Sequence, residues 1–410
     1  MFLKKSIISI LFILFFVPST WAQNRDDWAI NPIDSTSLNK LDYSKNELVN
    51  SNALFPLLAK LYKIKHFSKE NAVFVHIGDS HIQADLMTSV IRTELQSYFG
   101  NAGRGLVFPY QVAKSNAPWD IISSSKSGWK GNRLAKIDTS ITCGISGFGL
   151  QSQGFNPDFS LDLRSINGQR DTFDQVTFFM GGNVSELLLE YNDLIHDTTC
   201  FEKPQSEITY NLQSVTSGFK LSFPTTAGIQ FFGASLQKKD ACGIIYHSIG
   251  ANGARFIDYT KTPQFWNQLK SLHADCYIIS LGTNEAQDPN LTAEGFLSEA
   301  KSMIEKLRLT SPEASIIITT PPVSYFKKVR PNQSLEVISD ALKLFCANNN
   351  IVYWDLFNVS KGLEGARIWK TNQWLRADLV HFSREAYLLQ GKLFVDAFSK
   401  VWNSFLCKYH

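Results

Sequence analysis

The sequence predicts an α/β protein in which a doubly wound parallel sheet, with strand order 2-1-3-4-5, is interrupted by an inserted β-sandwich. Near residue 72, and again from residue 243 onward, short apolar runs alternate with segments of helical periodicity. Strands that alternate with helices favour a parallel sheet covered by helices. From about residue 119 to 241, short runs of alternating polarity are instead separated by Gly, Asn, Asp and Pro. This second pattern is typical of antiparallel strands in a sandwich.

The first 22 residues have the pattern of a secretory leader. Lys4 and Lys5 precede an apolar stretch from residue 7 to 17, and small residues lead up to Ala22. The stretch is too short to be a membrane span. We therefore expect a signal peptide at 1–22, a mature protein that is secreted or periplasmic, and no integral membrane segment after cleavage. The polar, unperiodic residues 23–50 are predicted to form a linker or N-terminal arm.

The predicted α/β domain is split into residues 51–118 and 242–410. Its first part contains a helix at 54–62, a strand at 72–77 and a helix at 85–98, because apolar residues recur there with the matching periods. In the second part the predicted strands are 244–249, 275–281, 315–320 and 351–355, and the predicted helices are 263–273, 292–309, 334–348 and 383–405. A sheet of this flavodoxin-like order binds ligands where the strand order reverses, at the end of the strand 72–77.

Residues 119–241 form the predicted insertion. Alternating runs of residues indicate its strands, for example at 175–180, 185–191, 208–212 and 218–223. Short runs bounded by turn-forming residues are typical of a β-sandwich. The insertion separates the first strand and helix of the α/β domain from the later strands.

The charge of the mature chain is close to zero. Loss of Lys4 and Lys5 with the leader lowers the formal net charge from +3 to +1, and acidic and basic residues are interspersed. A near-neutral chain with mixed charges argues against a nucleic acid or an anionic membrane as partner. We expect the protein to be a monomer.

The six cysteines lack the CxxC or Cys/His spacing of a metal site, so no metal or other cofactor is predicted. Cys276 and Cys346 lie in apolar patterns and are expected to be buried free thiols. Cys143, Cys200 and Cys242 are the better candidates for one disulfide, since an exported protein can form one.

The segment 73–85 is an apolar run that stops at Gly78, Asp79 and Ser80 before helix-forming residues begin. It predicts a buried strand that leads directly into a helix. Such a junction places Ser80 at the edge of the sheet, beside free N–H groups of the helix, where developing negative charge is stabilised. Ser80 is therefore a candidate nucleophile, although Asp and Ser are also ordinary helix caps.

Three further segments end predicted strands or precede a predicted helix: 248–254 (Ser-Ile-Gly-Ala-Asn-Gly-Ala), 280–285 (Ser-Leu-Gly-Thr-Asn-Glu) and 376–382 (Arg-Ala-Asp-Leu-Val-His-Phe). Together with Gly-Asp-Ser-His at 78–81, they resemble the four sequence blocks of the SGNH (GDSL-type) hydrolase superfamily, in the same order. Gly-Asp-Ser-His also resembles a subgroup that includes peptidoglycan O-acetylesterases. In position and β-rich pattern, the insertion is similar to the carbohydrate-binding-like module of some of those enzymes.

The resemblance implies a catalytic triad of Ser80, His381 and Asp378. Ser80 would be the nucleophile, His381 the general base, and Asp378 the group that orients the imidazole. The chemistry needs all of these groups because a serine hydroxyl is a poor nucleophile until a base takes its proton, and the base must be held in one tautomer.

The resemblance also implies an oxyanion hole. Its donors would be the backbone N–H of Ser80, the backbone N–H of Gly253 and the side-chain amide of Asn284. Gly250 is the alternative for the glycine. We prefer Gly253 because it is followed by the small Ala254 at the turn.

Other polar residues near these motifs are given structural interpretations. His76, within the first strand, is expected to be a hydrogen-bonded core histidine. His81 is expected either to bond nearby backbone or to contact the substrate. Asp79 and Glu285 are expected to order their loops.

The pair formed by Asp193 and His196 has the same spacing as Asp378 and His381. It lies among the predicted strands of the insertion, and no predicted helix follows it. We therefore expect a solvated turn instead of a second catalytic pair.

The sequence thus predicts an exported serine esterase that removes O-acetyl groups from an acetylated cell-wall glycan, with peptidoglycan preferred, through an acyl-enzyme on Ser80. The alternatives are an O-acetyltransferase with the same triad, an acetylesterase for another polysaccharide such as xylan, and a glycan-binding protein on a catalytically silent scaffold. Because the insertion is assigned to recognition, replacing residues 119–241 by a linker is expected to spare much of the hydrolysis of p-nitrophenyl acetate.

Overall fold

The computed structural model of the protein describes residues 27–67, 70–136, 140–165, 170–193, 195–203, 205–224 and 227–409. The predicted leader, residues 1–22, lies outside the described residues. Within these ranges, no helix has the length and apolar character needed to span a membrane.

The first part of the described chain contains an N-terminal arm, the first strand of the α/β domain and the helices that follow it. Its elements are α1 (Ser35–Leu38), β1 (Leu48–Val49), α2 (Phe55–His66), β2 (Asn71–Gly78), α3 (Ser80–Gln83), α4 (Leu86–Phe99), β3 (Asn101–Gly103) and β4 (Gly105–Val107). Strand β2 is rich in β-branched and aromatic residues, and its residues 74–78 are all buried. Continuous burial of this kind is typical of a central parallel strand.

The insertion is built from antiparallel strands. Its elements are β5 (Ile121–Ser124), β6 (Trp129–Arg133), β7 (Phe148–Ser152), β8 (Asp158–Leu163), β9 (Phe173–Gly181), β10 (Glu186–Tyr191), β11 (Ile195–Cys200), β12 (Glu207–Thr216), β13 (Gly218–Ser222) and β14 (Gln230–Gln237). One sheet has the order β11-β10-β13-β8-β5, and the other has the order β12-β9-β14-β7-β6 with β4 also paired to β14. Aromatic rings join the two sheets: the ring of Phe159 lies 5.7 Å from that of Trp129 and 4.8 Å from that of Phe231. The apolar faces of the two sheets therefore pack against each other.

The rest of the chain alternates strands with helices. Its elements are β15 (Gly243–Gly250), α5 (Phe256–Thr260), α6 (Pro263–Leu269), β16 (Cys276–Ser280), α7 (Ala293–Thr310), β17 (Ser315–Thr319), β18 (Tyr325–Phe326), β19 (Arg330–Pro331), α8 (Gln333–Asn348), β20 (Val352–Trp354), α9 (Leu356–Val359), α10 (Gly362–Thr371) and α11 (Arg384–Tyr409). Helix α4 packs on β15 and on α11, while α7 packs against α5 and α8.

The central sheet has the order β1-β20-β17-β16-β2-β15-β3. Its five main strands, β2, β15, β16, β17 and β20, are parallel, and counted along the chain they lie in the order 2-1-3-4-5. The strand order reverses around β2, where Gly78 is paired in register with Gly250 on one side and with Ser280 on the other. The loops that follow β2, β15 and β16 therefore meet at one edge of the sheet.

Residues 27–50 are part of the α/β domain. Of the two alternatives predicted for residues 23–50, the described residues form an N-terminal arm and not a linker. Strand β1 extends the central sheet, because Leu48 and Val49 pair antiparallel with β20. Trp28 is buried, and its ring stacks on that of Tyr98 at 4.9 Å. The few apolar residues that anchor this segment are too widely and irregularly spaced to give a periodic signal.

The insertion begins earlier than residue 119, because β4 already pairs with β14. Gly105, the first residue of β4, has a φ of +79°, and a Cβ atom there would lie 2.3 Å from the carbonyl oxygen of Tyr246. A glycine is therefore needed where the chain leaves one sheet for the other. Buried ion pairs join the two parts: Arg104 bonds Asp85 of the α/β domain at 2.6 Å and Asp120 of the insertion at 2.8 Å.

All six cysteines are free thiols in this structure. The expected burial of Cys276 and Cys346 is confirmed. The disulfide considered for Cys143, Cys200 and Cys242 is not formed, since Cys143 is buried while Cys200 is exposed on the last residue of β11.

Candidate active site

Ser80 is the first residue of α3, immediately after the central strand β2. The carboxylate of Asp79 caps this short helix by accepting a hydrogen bond of 2.9 Å from the N–H of His81. Gly78 allows the close approach of the sheet, because a Cβ atom there would lie 2.7 Å from the carbonyl oxygen of Ser280. The sharp passage from strand to helix leaves Ser80 partly exposed at the sheet edge. It also leaves the Ser80 N–H outside the hydrogen bonds of the helix, as for any first helical residue.

Ser80, His381 and Asp378 are joined by one line of hydrogen bonds. The Ser80 Oγ lies 2.7 Å from His381 Nε2, and the His381 Nδ1 lies 3.0 Å from Asp378 Oδ2. With the imidazole proton on Nδ1, this arrangement lets Nε2 accept the hydroxyl proton of Ser80. The geometry required of a nucleophile, a base and an orienting acid is therefore present.

Asp378 is held in place by the loop that carries His381. Its Oδ1 accepts backbone hydrogen bonds of 2.9 Å from Val380 and 2.8 Å from His381. Partial burial opposes ionisation, but these N–H donors and the His381 side chain lower the pKa of the Asp378 carboxyl below its usual value. The side chains of His381 and Asp378 keep 34% and 44% of their exposure, so water can reach the base.

The glycine loop that follows β15 lies beside Ser80. Gly253 has a φ of +84°, which favours glycine, and its N–H has no hydrogen-bond acceptor among the described residues. Gly250, the alternative, lies within β15, and a Cβ atom there would lie 2.1 Å from the backbone nitrogen of Gln83. Gly250 is thus needed for close packing under α3, whereas Gly253 offers a free donor.

Asn284 lies on the loop after β16 and joins the same cluster. Its Nδ2 donates to the carbonyl oxygen of Ala254 at 3.0 Å and to Asp79 Oδ2 at 3.3 Å. Both hydrogens of the amide therefore have acceptors in this state, and the longer bond to Asp79 would have to be exchanged for one to an oxyanion. Burial raises the pKa of the Asp79 carboxyl to about 7, although the N–H of His81 favours its ionised form.

The two histidines near Ser80 have structural partners. His76 is a buried core histidine, as predicted, with its ring nitrogens 2.7 Å from the Tyr246 hydroxyl and 2.7 Å from Ser280 Oγ. His81 is also buried, and its Nδ1 lies 2.8 Å from the hydroxyl of Tyr387. Neither role considered for His81 is therefore seen, because its partner is a side chain and burial removes it from the substrate. Burial and the neighbouring His381 lower the pKa of His81 to about 3.

Glu285 is a buried acid that positions a helix. Its Oε1 accepts a hydrogen bond of 2.8 Å from the N–H of Phe256, at the start of α5. Burial raises the pKa of Glu285 to about 8, although the Phe256 N–H opposes the shift. The expected structural role is thus confirmed by its contacts.

The second Asp/His pair occupies a different environment. Asp193 lies in the turn between β10 and β11 with a φ of +57°, and β11 is an edge strand of the insertion. The side chain of His196 lies outside the described residues. The hydroxyl of Ser80 is hydrogen-bonded to His381. The spacing between Asp and His, which is the same in both pairs, therefore does not determine which pair reaches Ser80.

Gln83 is a site residue that the sequence interpretation missed. It is buried on α3, where its Oε1 accepts a hydrogen bond of 2.7 Å from the N–H of Asn252 in the glycine loop. Its Nε2 donates to the carbonyl oxygen of Asn116 at 2.7 Å and to Ser115 Oγ at 3.2 Å. In the sequence, Gln83 could have been noticed as a polar residue about one helical turn after Ser80, next to apolar residues that indicate a buried helix face.

The insertion forms part of the surroundings of the glycine loop. A Cβ atom on Gly253 would lie 3.2 Å from the Cβ of Ala135, and one on Gly147 would lie 3.3 Å from the Cβ of Ala251. Ala135 and Gly147 both belong to the insertion. The loop that carries the Gly253 donor is therefore packed against it.

The donor set around Ser80 does not resemble a metal site. Within the described ranges, no group of three or more His, Cys, Asp or Glu side chains is arranged to hold a metal ion.

Comparison with known proteins agrees with this architecture. Residues 213–389 match the GDSL-like Lipase/Acylhydrolase family, a span that contains Gly253, Asn284, Asp378 and His381 but not Ser80. A solved structure of a peptidoglycan O-acetylesterase is 21% identical, with a TM-score of 0.72, and the match covers 87% of this chain and 99% of that one. A lipase/acylhydrolase from Enterococcus faecalis is 23% identical over 38% of this chain and 77% of its own, with a TM-score of 0.30. No curated protein sequence matches the chain.

Proposed function

We propose that this chain, which resembles the GDSL-type hydrolases in its fold and its motifs, is an exported serine esterase that removes O-acetyl groups from a cell-wall glycan, with peptidoglycan as the substrate. The observation that carries the proposal is the unbroken line of hydrogen bonds from Asp378 through His381 to Ser80. It ends at the hydroxyl of Ser80. The N–H groups of Ser80 and Gly253, the proposed oxyanion donors, have no acceptor among the described residues.

The first half of the reaction transfers the acetyl group to the enzyme. Ser80 Oγ attacks the ester carbonyl while His381 Nε2 takes its proton, and the carbonyl oxygen becomes an oxyanion. The N–H groups of Ser80 and Gly253 and the Asn284 amide stabilise this charge. When the intermediate collapses, the bond from the carbonyl carbon to the sugar oxygen breaks. His381 gives its proton to that oxygen, which leaves as a hydroxyl, and an acetyl ester remains on Ser80.

The second half releases acetate. His381 Nε2 removes a proton from a water molecule, which attacks the acetyl carbonyl and again forms an oxyanion. Collapse returns the proton from His381 to Ser80 Oγ. Because the carboxylate of Asp378 is ionised and hydrogen-bonded to the imidazole, it stabilises the imidazolium in both halves.

Three features support a glycan as the substrate. The solved structure of the peptidoglycan O-acetylesterase has a similar fold, and the match covers 87% of this chain, which is enough to include part of the insertion. The leader predicted at 1–22 would bring the mature protein to the cell wall. The near-neutral net charge is that of a protein without a nucleic acid partner.

The proposal is tested by measuring acetate release from O-acetylated peptidoglycan, acetylated xylan and p-nitrophenyl acetate. We expect turnover of the small ester, release of acetate from peptidoglycan above that from xylan, and loss of both activities in Ser80→Ala. Preference for xylan would reject the cell-wall assignment while retaining the esterase. Transfer of acetyl to an added sugar in place of release would identify an O-acetyltransferase. A folded protein that binds glycan but hydrolyses none of these esters would be a silent binding protein.

A further inference from the structure

A cleft in the insertion lies directly beside the glycine loop. One wall is the turn at residues 113–115, and the other is strand β6 with the turn that ends at Lys136. The walls approach closely at Gly131, where a Cβ atom would lie 2.8 Å from the Cα of Ala113. Both walls are therefore fixed by backbone packing.

Among the described residues, the cleft is lined by cations and by no acidic side chain. Lys114, Lys130, Arg133 and Lys136 line it, and its other lining residues carry no charge. Within the described part of the chain, Lys114, Arg133 and Lys136 form no ion pair. The Nε of Arg133 is buried and has no hydrogen-bond acceptor among those residues. By contrast, Lys220 on the five-stranded sheet is paired with Glu190 at 2.5 Å.

Such an arrangement favours an anionic ligand. Several cations that share a concave surface raise the local concentration of anions, and a carboxylate can accept charge-assisted hydrogen bonds from lysine and arginine. A guanidinium N–H that is removed from water without an acceptor is also unfavourable until a ligand supplies one.

The cleft and Ser80 are connected by short contacts. Gln83, one turn after Ser80, donates to Ser115 and Asn116 beside Lys114. On the other wall, Ala135 lies next to Gly253 and immediately before Lys136. Both walls of the cleft are therefore joined, through Gln83 and Gly253, to the segments that surround Ser80.

We propose that this cleft binds a carboxylate of the substrate, so that the enzyme prefers acetylated glycans with acidic substituents. The inference rests on the proposed function, because it names the class of glycan that the same site accepts. The insertion would then recognise charge next to the scissile ester, and the energy of that contact would orient the ester over Ser80.

The experiment compares two forms of one substrate. Acetylated oligosaccharides that carry carboxylates are prepared in parallel with the same oligosaccharides after amidation of those carboxylates, and kcat/KM is measured for acetate release. We expect the wild type to prefer the acidic form by about tenfold, with the preference decreasing at high salt. In the variant Lys114→Gln/Lys136→Gln the ratio should fall to near one, whereas Lys126→Gln should keep it. Lys126 is exposed on the same insertion but does not line the cleft.

Hydrolysis of p-nitrophenyl acetate separates failure of the carboxylate site from failure of the proposed esterase. Suppose that the wild type hydrolyses the small ester and releases acetate from the acidic and the amidated glycan with the same kcat/KM. The carboxylate site is then rejected, and the proposed esterase activity is retained. The same conclusion follows if the preference for the acidic form survives in Lys114→Gln/Lys136→Gln. If the wild type hydrolyses none of the esters, the proposed function itself fails.

Discussion

The α/β half of the molecule and its β insertion contribute differently to the site. The α/β half supplies Ser80 after β2, Asn284 after β16 and His381 before α11. The segments that carry these residues therefore meet at one edge of the central sheet. The insertion contributes no member of the triad. It contacts the same loops through Ala135 and through the backbone of residue 116. The candidate reacting groups thus lie on segments of the α/β half, whereas the insertion packs against those segments.

The two Asp/His pairs show the same difference on a smaller scale. Asp378 accepts two backbone hydrogen bonds within its own loop and faces a histidine that reaches Ser80. Asp193, with identical spacing to its histidine, lies in a hairpin turn of the insertion. The spacing of an Asp and a His therefore does not by itself predict which pair reaches the hydroxyl of Ser80.

The largest expected effect distinguishes these two pairs. Ser80→Ala and His381→Ala should each lower kcat for p-nitrophenyl acetate by about three powers of ten or more, because the members of a triad act as a unit. Asp378→Asn should cost as much or less. The matched changes Asp193→Ala and His196→Ala should leave kcat within about twofold, since surface substitutions rarely alter a distant site.

These variants are compared by steady-state kinetics after thermal melts have verified folding. If a folded Ser80→Ala protein kept wild-type turnover and Asp193→Ala were inactive, the catalytic pair would belong to the insertion and not to the α/β half.

A smaller loss is expected for the oxyanion donor. Asn284→Ala should lower kcat by about a hundredfold with little change in KM, because the amide would contact a charge that exists only in the transition state. Initial-rate measurements over a range of substrate concentrations separate the two constants. A change confined to KM would make Asn284 a residue for ground-state binding.

Gln83 tests whether the insertion and the chemistry are mechanically connected. Gln83→Ala removes the bonds that join α3, the glycine loop and residue 116, so we expect kcat to fall about tenfold through a displaced Gly253 donor. Gln83→Glu keeps the acceptor for the Asn252 N–H and should recover much of that loss. Equal kcat in wild type and Gln83→Ala would show that the glycine loop is held without this bridge.

The smallest expected effect concerns stability. It is measured for a buried acid, Glu285, and for a partly exposed one, Glu190. The pKa of Glu285 is raised to about 8 from an ordinary 4.5, so between these pH values the folded state holds a proton that the unfolded state has lost. The free energy of unfolding should therefore fall as pH rises through this window. Glu285→Gln should flatten that dependence, whereas Glu190→Gln, in a surface ion pair, should not. Denaturant titrations at pH 5 and 8 measure it, and parallel curves for wild type and Glu285→Gln would contradict it.

The sequence was informative for the α/β half because periodicity and strand-end motifs are local. The segments around Ser80, Asn284 and His381 could each be placed at a sheet edge without knowledge of distant contacts. Gln83 could not be assigned, since its role depends on Asn116 and Asn252, which are remote in sequence. His81 was misjudged for the same reason, because its partner Tyr387 lies on α11.

The first residue of the insertion could not be predicted from the sequence either. Strand β4 joins the second sheet only through pairing with β14, and Arg104 is balanced only by acids on both sides of the boundary. Removal of residues 119–241 would therefore leave β4 without its partner and Arg104 without Asp120. We now expect such a deletion to impair hydrolysis of p-nitrophenyl acetate as well as of glycans, contrary to the expectation from sequence.

Our main inference is that the α/β half performs the chemistry through Ser80. It is tested most directly by mixing the protein with excess p-nitrophenyl acetate, quenching with acid during turnover and locating the acetyl group by peptide mass spectrometry. We expect an acetyl ester on Ser80 in the wild type and none at this position in His381→Ala. Turnover with the acetyl group on a residue of the insertion, or with no acetyl-enzyme while Ser80→Ala remains active, would contradict it.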